Sequence, residues 1–238
     1  MRPLPFGVRA HFDIFLVLVY AVNKEKAEAL LPPPLIHETH NGKALMAVAF
    51  VKADKFRPSF FPSLFSMSFN LAGFRHMAKY VTTAGKTIRG LKIIRSATNK
   101  KIMVSGGDEL TQYKFQYNPV VIEERNGVIH VKGNNIDIAV QESDGSEMPL
   151  PEGSVFESWT AARKYGGPLL YTFEINTNEI SITEGSRKLW QPKPAKVLKA
   201  QTDFFDYPPY NDLEPVLSAA YVVKNIPYSW KKAVKEKI

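Results

Sequence analysis

Strand signals crowd residues 113–141, and what separates them is turns rather than helices. Residues 113–124 read as one strand, Asn126-Gly127 is a two-residue turn, and residues 128–132 and 136–141 resume the pattern. Ile136, Ile138 and Val140 alternate, the period of a strand buried on one face. A chain that passes from strand to strand through tight turns builds antiparallel sheet, whereas a parallel doubly wound sheet needs a helix in each crossover. The expected class is therefore α+β and mostly antiparallel.

The remaining segments fit that class. Strands are expected at residues 12–22, 44–51, 67–82 and 87–96, with Asn41-Gly42 a hairpin signal and Ala84-Gly85 joining the last two. A further hairpin pairs residues 170–176 with 180–183, and another strand covers residues 196–205. Helices are few. Residues 24–31 are rich in helix formers and stop at Pro32-Pro33-Pro34. Residues 99–111 are loosened by Gly106-Gly107, and Ser154 with Glu157 forms a capping box for a helix through Lys164, ended by Gly166-Gly167-Pro168. A last helix is expected over residues 212–221. Arg57-Pro58-Ser59-Phe60-Phe61-Pro62 is an aromatic loop, and residues 143–153 are the best candidate for a flexible segment. No repeat or linker divides the chain, so one domain over residues 1–238 is expected.

Several function classes are excluded early. The chain has no cysteine, which removes disulfides, thiolate metal sites and cysteine nucleophiles, and fits a reducing interior. The longest apolar run, residues 14–22, is nine residues, and a spanning helix needs about twenty. With no export-signal layout at the start, a cytoplasmic protein with no membrane partner is expected. The formal charge is +8, but the basic residues are spread along the chain. The densest group, Lys231, Lys232, Lys235 and Lys237, reads as a solvated tail, which argues against a nucleic-acid partner. There is no Walker loop, dinucleotide fingerprint or nucleophile elbow, so no cofactor is expected. His37 and His40 lack a third ligand and the helical spacing of a zinc site. Oligomerisation is left open.

Five segments, in order, carry a resemblance: Val22-Asn23-Lys24-Glu25, Phe69-Asn70-Leu71-Ala72-Gly73-Phe74-Arg75, Arg89-Gly90-Leu91-Lys92-Ile93-Ile94-Arg95-Ser96, Ser158-Trp159-Thr160-Ala161-Ala162-Arg163, and Tyr221-Val222-Val223-Lys224-Asn225-Ile226-Pro227. They resemble a bacterial family of unknown function within the acetoacetate decarboxylase-like superfamily. The resemblance implies a cone-like closed β-barrel with a few flanking helices and a central cavity for a small molecule. It also implies a possible lysine-imine chemistry, in which a neutral lysine supplies an electron sink for decarboxylation. The family pattern Gly-Arg-Glu followed by Pro-Lys-Lys meets Gly107-Asp108-Glu109 and then Lys114 here, with the arginine, the proline and one lysine absent.

Two readings of Lys114 follow. It is an imine-forming lysine with Glu109 positioning a substrate, or a surface lysine between Tyr113 and Phe115, whose rings face the core. Arg75 and His76 fall in the middle strand of the resemblance, where alternation sends one inward and the other outward. An inward arginine offers a fork for a carboxylate, and an inward histidine a proton carrier. Arg95 and Lys79 are weaker versions of the same idea. The leading expectation is a cavity that takes a compact, anionic organic ligand at Arg75. The alternatives are a keto-acid lyase and a basic interaction module.

Overall fold

The computed structural model describes residues 4–110, 113–143, 148–166, 169–187 and 190–238, without the side chains of residues 108–110 and 187. The long first strand, β1 (Val8–Asn23), ends where the Asn23 side chain caps the short helix α1 (Lys24–Glu28) by accepting from the Lys26 amide at 3.1 Å. Two short pairings, β2 (Ile36–His37) and β3 (Thr39–His40), lead through Asn41-Gly42 into β4 (Lys43–Pro58). Both turn residues have positive φ, 45° and 74°, as this hairpin type demands. The hairpin β5 (Met67–Val81) and β6 (Thr87–Thr98) precedes α2 (Lys101–Leu110). Then come β7 (Phe115–Tyr117), β8 (Val121–Arg125), β9 (Val128–Gly133), β10 (Ile136–Glu142) and α3 (Trp159–Gly166). The chain finishes with β11 (Tyr171–Asn176), β12 (Glu179–Arg187), β13 (Lys193–Thr202), β14 (Val216–Trp230) and β15 (Val234–Lys237). Among the described residues no helix is long and apolar enough to cross a membrane.

Seven strands run in the order β12-β11-β6-β5-β4-β1-β14, and pairing of β12 with β14 at Gly185–Trp230 closes them into a ring. Pairing is antiparallel except where β6 meets β11 and β7. From β14 a second arm, β13-β10-β9-β8, folds over the outer face of the ring. There Leu16, Leu18, Phe50 and Phe74 pack with Ile122, Ile129 and Ile138. Inside the ring, α3 plugs one end, with Phe156 and Ala162 against Val19, Ala47 and Met77. At the other end α2 brings Met103 against Phe12, Phe69 and Phe115. The result is the mostly antiparallel, cone-like closed sheet that the strand pattern and the resemblance imply.

Four segments depart from expectation. Residues 212–221 hold no helix. After a turn the chain enters β14, whose Tyr221-Val222-Val223 are strand formers paired with β1 along fifteen residues, and that pairing overrides the local helix propensity. The lysine-rich tail is solvated as expected but takes an element the sequence did not suggest: β15 adds an edge to β12, and the exposed Lys231 and Lys235 meet Glu184 and Glu179 at 2.9 and 2.5 Å. The strand expected over residues 113–124 breaks into β7 and β8 at Asn118-Pro119, where Asn118 instead bonds the turn at Asn134. Finally, the hydroxyl that caps α3 belongs to Ser158, accepting from the Ala161 amide at 3.1 Å, while Ser154 holds the Phe156 amide and Glu157 reaches His40. Residues 144–147 and 167–168 of the expected loop and helix end lie outside the described residues.

Candidate functional site

Between the two plugged ends the ring encloses a cavity of about 410 Å³, within the range of small-molecule sites. Its wall is mostly hydrocarbon. At the α2 end Phe12 stacks on Tyr228 (centroids 4.7 Å apart) and Phe15 meets Trp190 edge-on at 5.0 Å. Toward α3 the lining passes to Met77, Leu91 and Ile93.

One charged side chain appears in the described lining: Arg75. Strand alternation explains its direction, since Met67, Phe69, Leu71, Arg75 and Met77 all line the cavity from β5. Arg75 is 9% exposed, and no ion pair or hydrogen bond joins it to any described residue; its buried Nε has no partner. Burial pulls the guanidinium pKa down from its ordinary value, opposed by the Tyr113 and Tyr228 hydroxyls nearby. The Tyr113 hydroxyl is itself hydrogen-bonded to Thr172, a lining residue from β11, and burial pushes its pKa up, so it stays a neutral phenol. Gly73, two positions before Arg75 on the same face, gives the guanidinium its seat: a Cβ there would lie 2.8 Å from Nη2.

The other candidate residues are placed elsewhere. His76 faces the outer layer, its ring 4.9 Å from that of His37 and 6.0 Å from Tyr210. Burial first, then the charges of His37 and Lys92, lower its pKa from 6.5 to about 3, so it is neutral at ordinary pH. Arg95 also turns outward. A bulge sets Phe74 opposite Arg95 and Arg75 opposite Ile93, which leaves Ile93 and Ser96 on the cavity and carries Arg95 to the other face. There it lies over the Phe204 ring at 4.7 Å and pairs with Asp203 at 3.2 Å. Lys79 pairs with the buried Glu38 at 3.2 Å.

Lys114 has an exposed side chain and a left-handed backbone (φ 49°), and its carbonyl accepts from the Ser96 amide at 3.3 Å. Glu109 falls in α2, with its side chain outside the described residues. Among the described residues, the lysine whose pKa is lowered by burial is Lys92, which is half-buried near Glu174 and is not part of the cavity lining. Tyr113, Thr172, Tyr228 and Gly73 gained no role from the sequence. The available signal was Thr172 and Glu174, both buried although they alternate with the apolar Tyr171, Phe173 and Ile175.

The arrangement is chemically specific. A lone cation in a low-dielectric chamber is costly, and the oxygens of a carboxylate would both neutralise it and accept its fork of N–H donors. The surrounding rings favour a ligand whose remaining body is apolar. The described lining contains no lysine and no carboxylate.

Residues 9–224 match the family DUF2071, described as an uncharacterized conserved protein. No curated protein matches the sequence. Among solved structures, acetoacetate decarboxylase from Legionella pneumophila is similar at a TM-score of 0.60 and 14% identity, over 98% of this chain and 88% of that one. The enduracididine biosynthesis enzyme MppR, complexed with the condensation product of pyruvate and imidazole 4-carboxaldehyde, gives 0.61 at 11% identity, over 100% and 90%. An acetoacetate decarboxylase-like enzyme from Sphingomonas wittichii gives 0.54 at 12%, over 97% and 92%. At these identities the likeness is one of fold.

Proposed function

The chain belongs to this uncharacterized family, and we propose that it binds a small organic carboxylate in its central cavity, with Arg75 as the counter-ion. One observation carries the reading: a buried guanidinium that faces a roomy apolar chamber and finds no carboxylate in the described chain. Tyr113 and Tyr228 stand beside it as polar groups able to orient the bound anion. Supporting the reading, the similar MppR enzyme is complexed with a product of pyruvate, itself a small carboxylate. The cavity is far more apolar than pyruvate alone requires, which favours an acid with a hydrocarbon or aryl body.

Trp190 and Trp230 line the cavity, so tryptophan fluorescence should report occupancy. Saturable quenching is expected with monocarboxylic acids and not with the matching amides. Arg75→Met should weaken acid binding by roughly 100-fold, the penalty of leaving a buried carboxylate unpaired. Equal binding of acid and amide, or unchanged affinity in Arg75→Met, would remove the carboxylate from the proposal. The lyase alternative needs a reactive lysine. It gains ground only if cyanoborohydride traps a keto-acid adduct that Lys114→Ala lacks.

A further inference from the structure

At the α2 end the molecule turns a group of large apolar side chains to the outside. Leu64 is 86% exposed, Phe65 66% and Phe60 65%, with Phe61 beside them and Ile102 on α2 also exposed. The rings pack on one another more than on the core: Phe60 on Phe61 at 4.8 Å and Phe61 on Phe65 at 6.2 Å. Phe60 also meets Phe6 edge-on at 5.5 Å, and Phe6, Pro58 and Ile102 all line the cavity, so the patch forms part of its rim.

Positive charge gathers beside it. Arg9 and Arg57 are direct cross-strand partners, and with Lys55 they border a surface depression of about 580 Å³. Like charges placed opposite each other destabilise a sheet. Arg57 spends its donors on the carbonyls of Phe61 (3.2 Å) and Lys55 (3.0 Å), bracing the loop, and none of the three cations forms an ion pair with a described residue. The neighbouring acid, Asp54, is held by the Ser68 hydroxyl at 2.5 Å. Exposed rings are unfavourable in water and the juxtaposed cations repel one another, and one kind of partner relieves both. A second copy does not, because a two-fold contact through this patch would set one basic cluster against the other on a chain of formal charge +8.

We propose that the aromatic loop at residues 59–66 and the flanking Arg9, Lys55 and Arg57 form a docking surface for an anionic lipid bilayer, with the rings at the acyl boundary and the cations among the headgroups. No spanning helix is needed for this, since the chain would lie on the surface. The cavity rim then faces the bilayer, which gives an apolar acid a route inward that avoids water.

The test is sedimentation of the full chain with vesicles of phosphatidylcholine alone and of an equal mixture with phosphatidylglycerol. At low salt the chain should favour the mixed vesicles by roughly tenfold or more, and lose that preference as salt rises. Leu64→Ser with Phe65→Ser should cut binding by roughly tenfold, and so should Arg9→Glu, at unchanged melting temperature because all three positions are exposed. Arg75→Met should bind vesicles like the parent chain, which keeps this test separate from the carboxylate test. Equal sedimentation with both vesicles, or indifference to the loop variant, overturns the proposal. So does a dimer in solution that the loop variant turns into a monomer, since the patch would then belong to a second copy.

Discussion

Arg75 and Arg89 sit on adjacent strands of one ring and differ in who supplies the opposite charge. Arg89, on β6, donates its Nε to Glu38 at 2.5 Å and its two terminal nitrogens to the carbonyls of Lys164 and Tyr165 at 2.7 and 2.8 Å. Glu38 is buried and also holds Lys79. Arg89 thus ties the β5–β6 hairpin to the end of α3. Arg75, on β5, has none of this among the described residues. A cation kept for architecture carries its counter-charge with it, because a buried unpaired charge is expensive. A cation without one lowers stability, which a chain tolerates where a ligand completes the pair.

The sharpest way to break this comparison is to remove each site's charge and read the sign. Glu38→Gln should lower stability by about 3 kcal/mol, discounted to about 2 because Lys79 and Arg89 are each about a third exposed. Arg75→Met should do the reverse and raise stability by about 1–2 kcal/mol, since an apolar side chain of similar reach replaces a desolvated charge. Urea unfolding measures both. If Arg75→Met also destabilises, Arg75 is a structural cation like Arg89 and the ligand reading loses its main support.

The two faces were unequally legible in the sequence. Turn chemistry at Asn41-Gly42 and Asn126-Gly127, with alternation in β10, was enough to reach the antiparallel sheet. Alternation also separated Arg75 from His76, because a strand must send neighbours opposite ways. It could not say which of them met a cavity. Arg95 was beyond it: one extra residue in β6 flips every side chain after it, and nothing in Ile93-Ile94-Arg95 announces a bulge. The helix expected over residues 212–221 takes in the start of β14, which is buried on both faces through residues 218–223 and so shows no period of two there. Thr172 and Glu174 alternate with apolar residues as the wet side of an open hairpin would, yet both are buried, because a closed ring has an inside as well as an outside. That Arg75 has no hydrogen bond or ion pair with any described residue depends on the surrounding elements together, and only the folded ring contains it.

Acid offers a second probe of the same two faces, of intermediate size. His76 has a folded pKa of about 3 against 6.5 when unconstrained, so the unfolded chain takes up its proton first. Stability is then full above pH 6.5 and falls as the pH drops through the window down to about 3. At pH 5 the loss from this residue alone is about 2 kcal/mol, from 1.36 kcal/mol per pKa unit. His37, packed against it and also lowered by burial, adds in the same direction. Thermal melts from pH 7.5 to 5 should show this slope, and His76→Leu should flatten it. Arg75→Met should leave it intact, because Arg75 occupies the opposite face of β5 from His76. A slope that survives His76→Leu unchanged would place the acid-sensitive group elsewhere.

The smallest effect isolates the seat of Arg75 from the strand that carries it. A Cβ on Gly73 would meet Nη2, Nε and Cζ of Arg75 at 2.8, 3.1 and 3.2 Å, closer than carbon normally approaches. The atoms in the way belong to a movable side chain, and Gly73 has no positive φ, so β5 accepts alanine without backbone strain. Gly73→Ala should therefore fold as well as the parent, or slightly better, since alanine loses less backbone entropy than glycine. Its guanidinium must shift off the seat, and a fork displaced by a few tenths of an ångström aims poorly at a carboxylate. The expected result is roughly a tenfold loss of acid affinity, about 1.4 kcal/mol, with stability preserved. Gly90 on β6 supplies the contrast. A Cβ there would meet the Tyr171 carbonyl and the Phe173 ring, both at 2.6 Å, so Gly90→Ala should cost stability because the obstacle includes backbone that cannot yield. Should Gly73→Ala bind acids as tightly as the parent, the guanidinium position is immaterial and Arg75 is not the anchor.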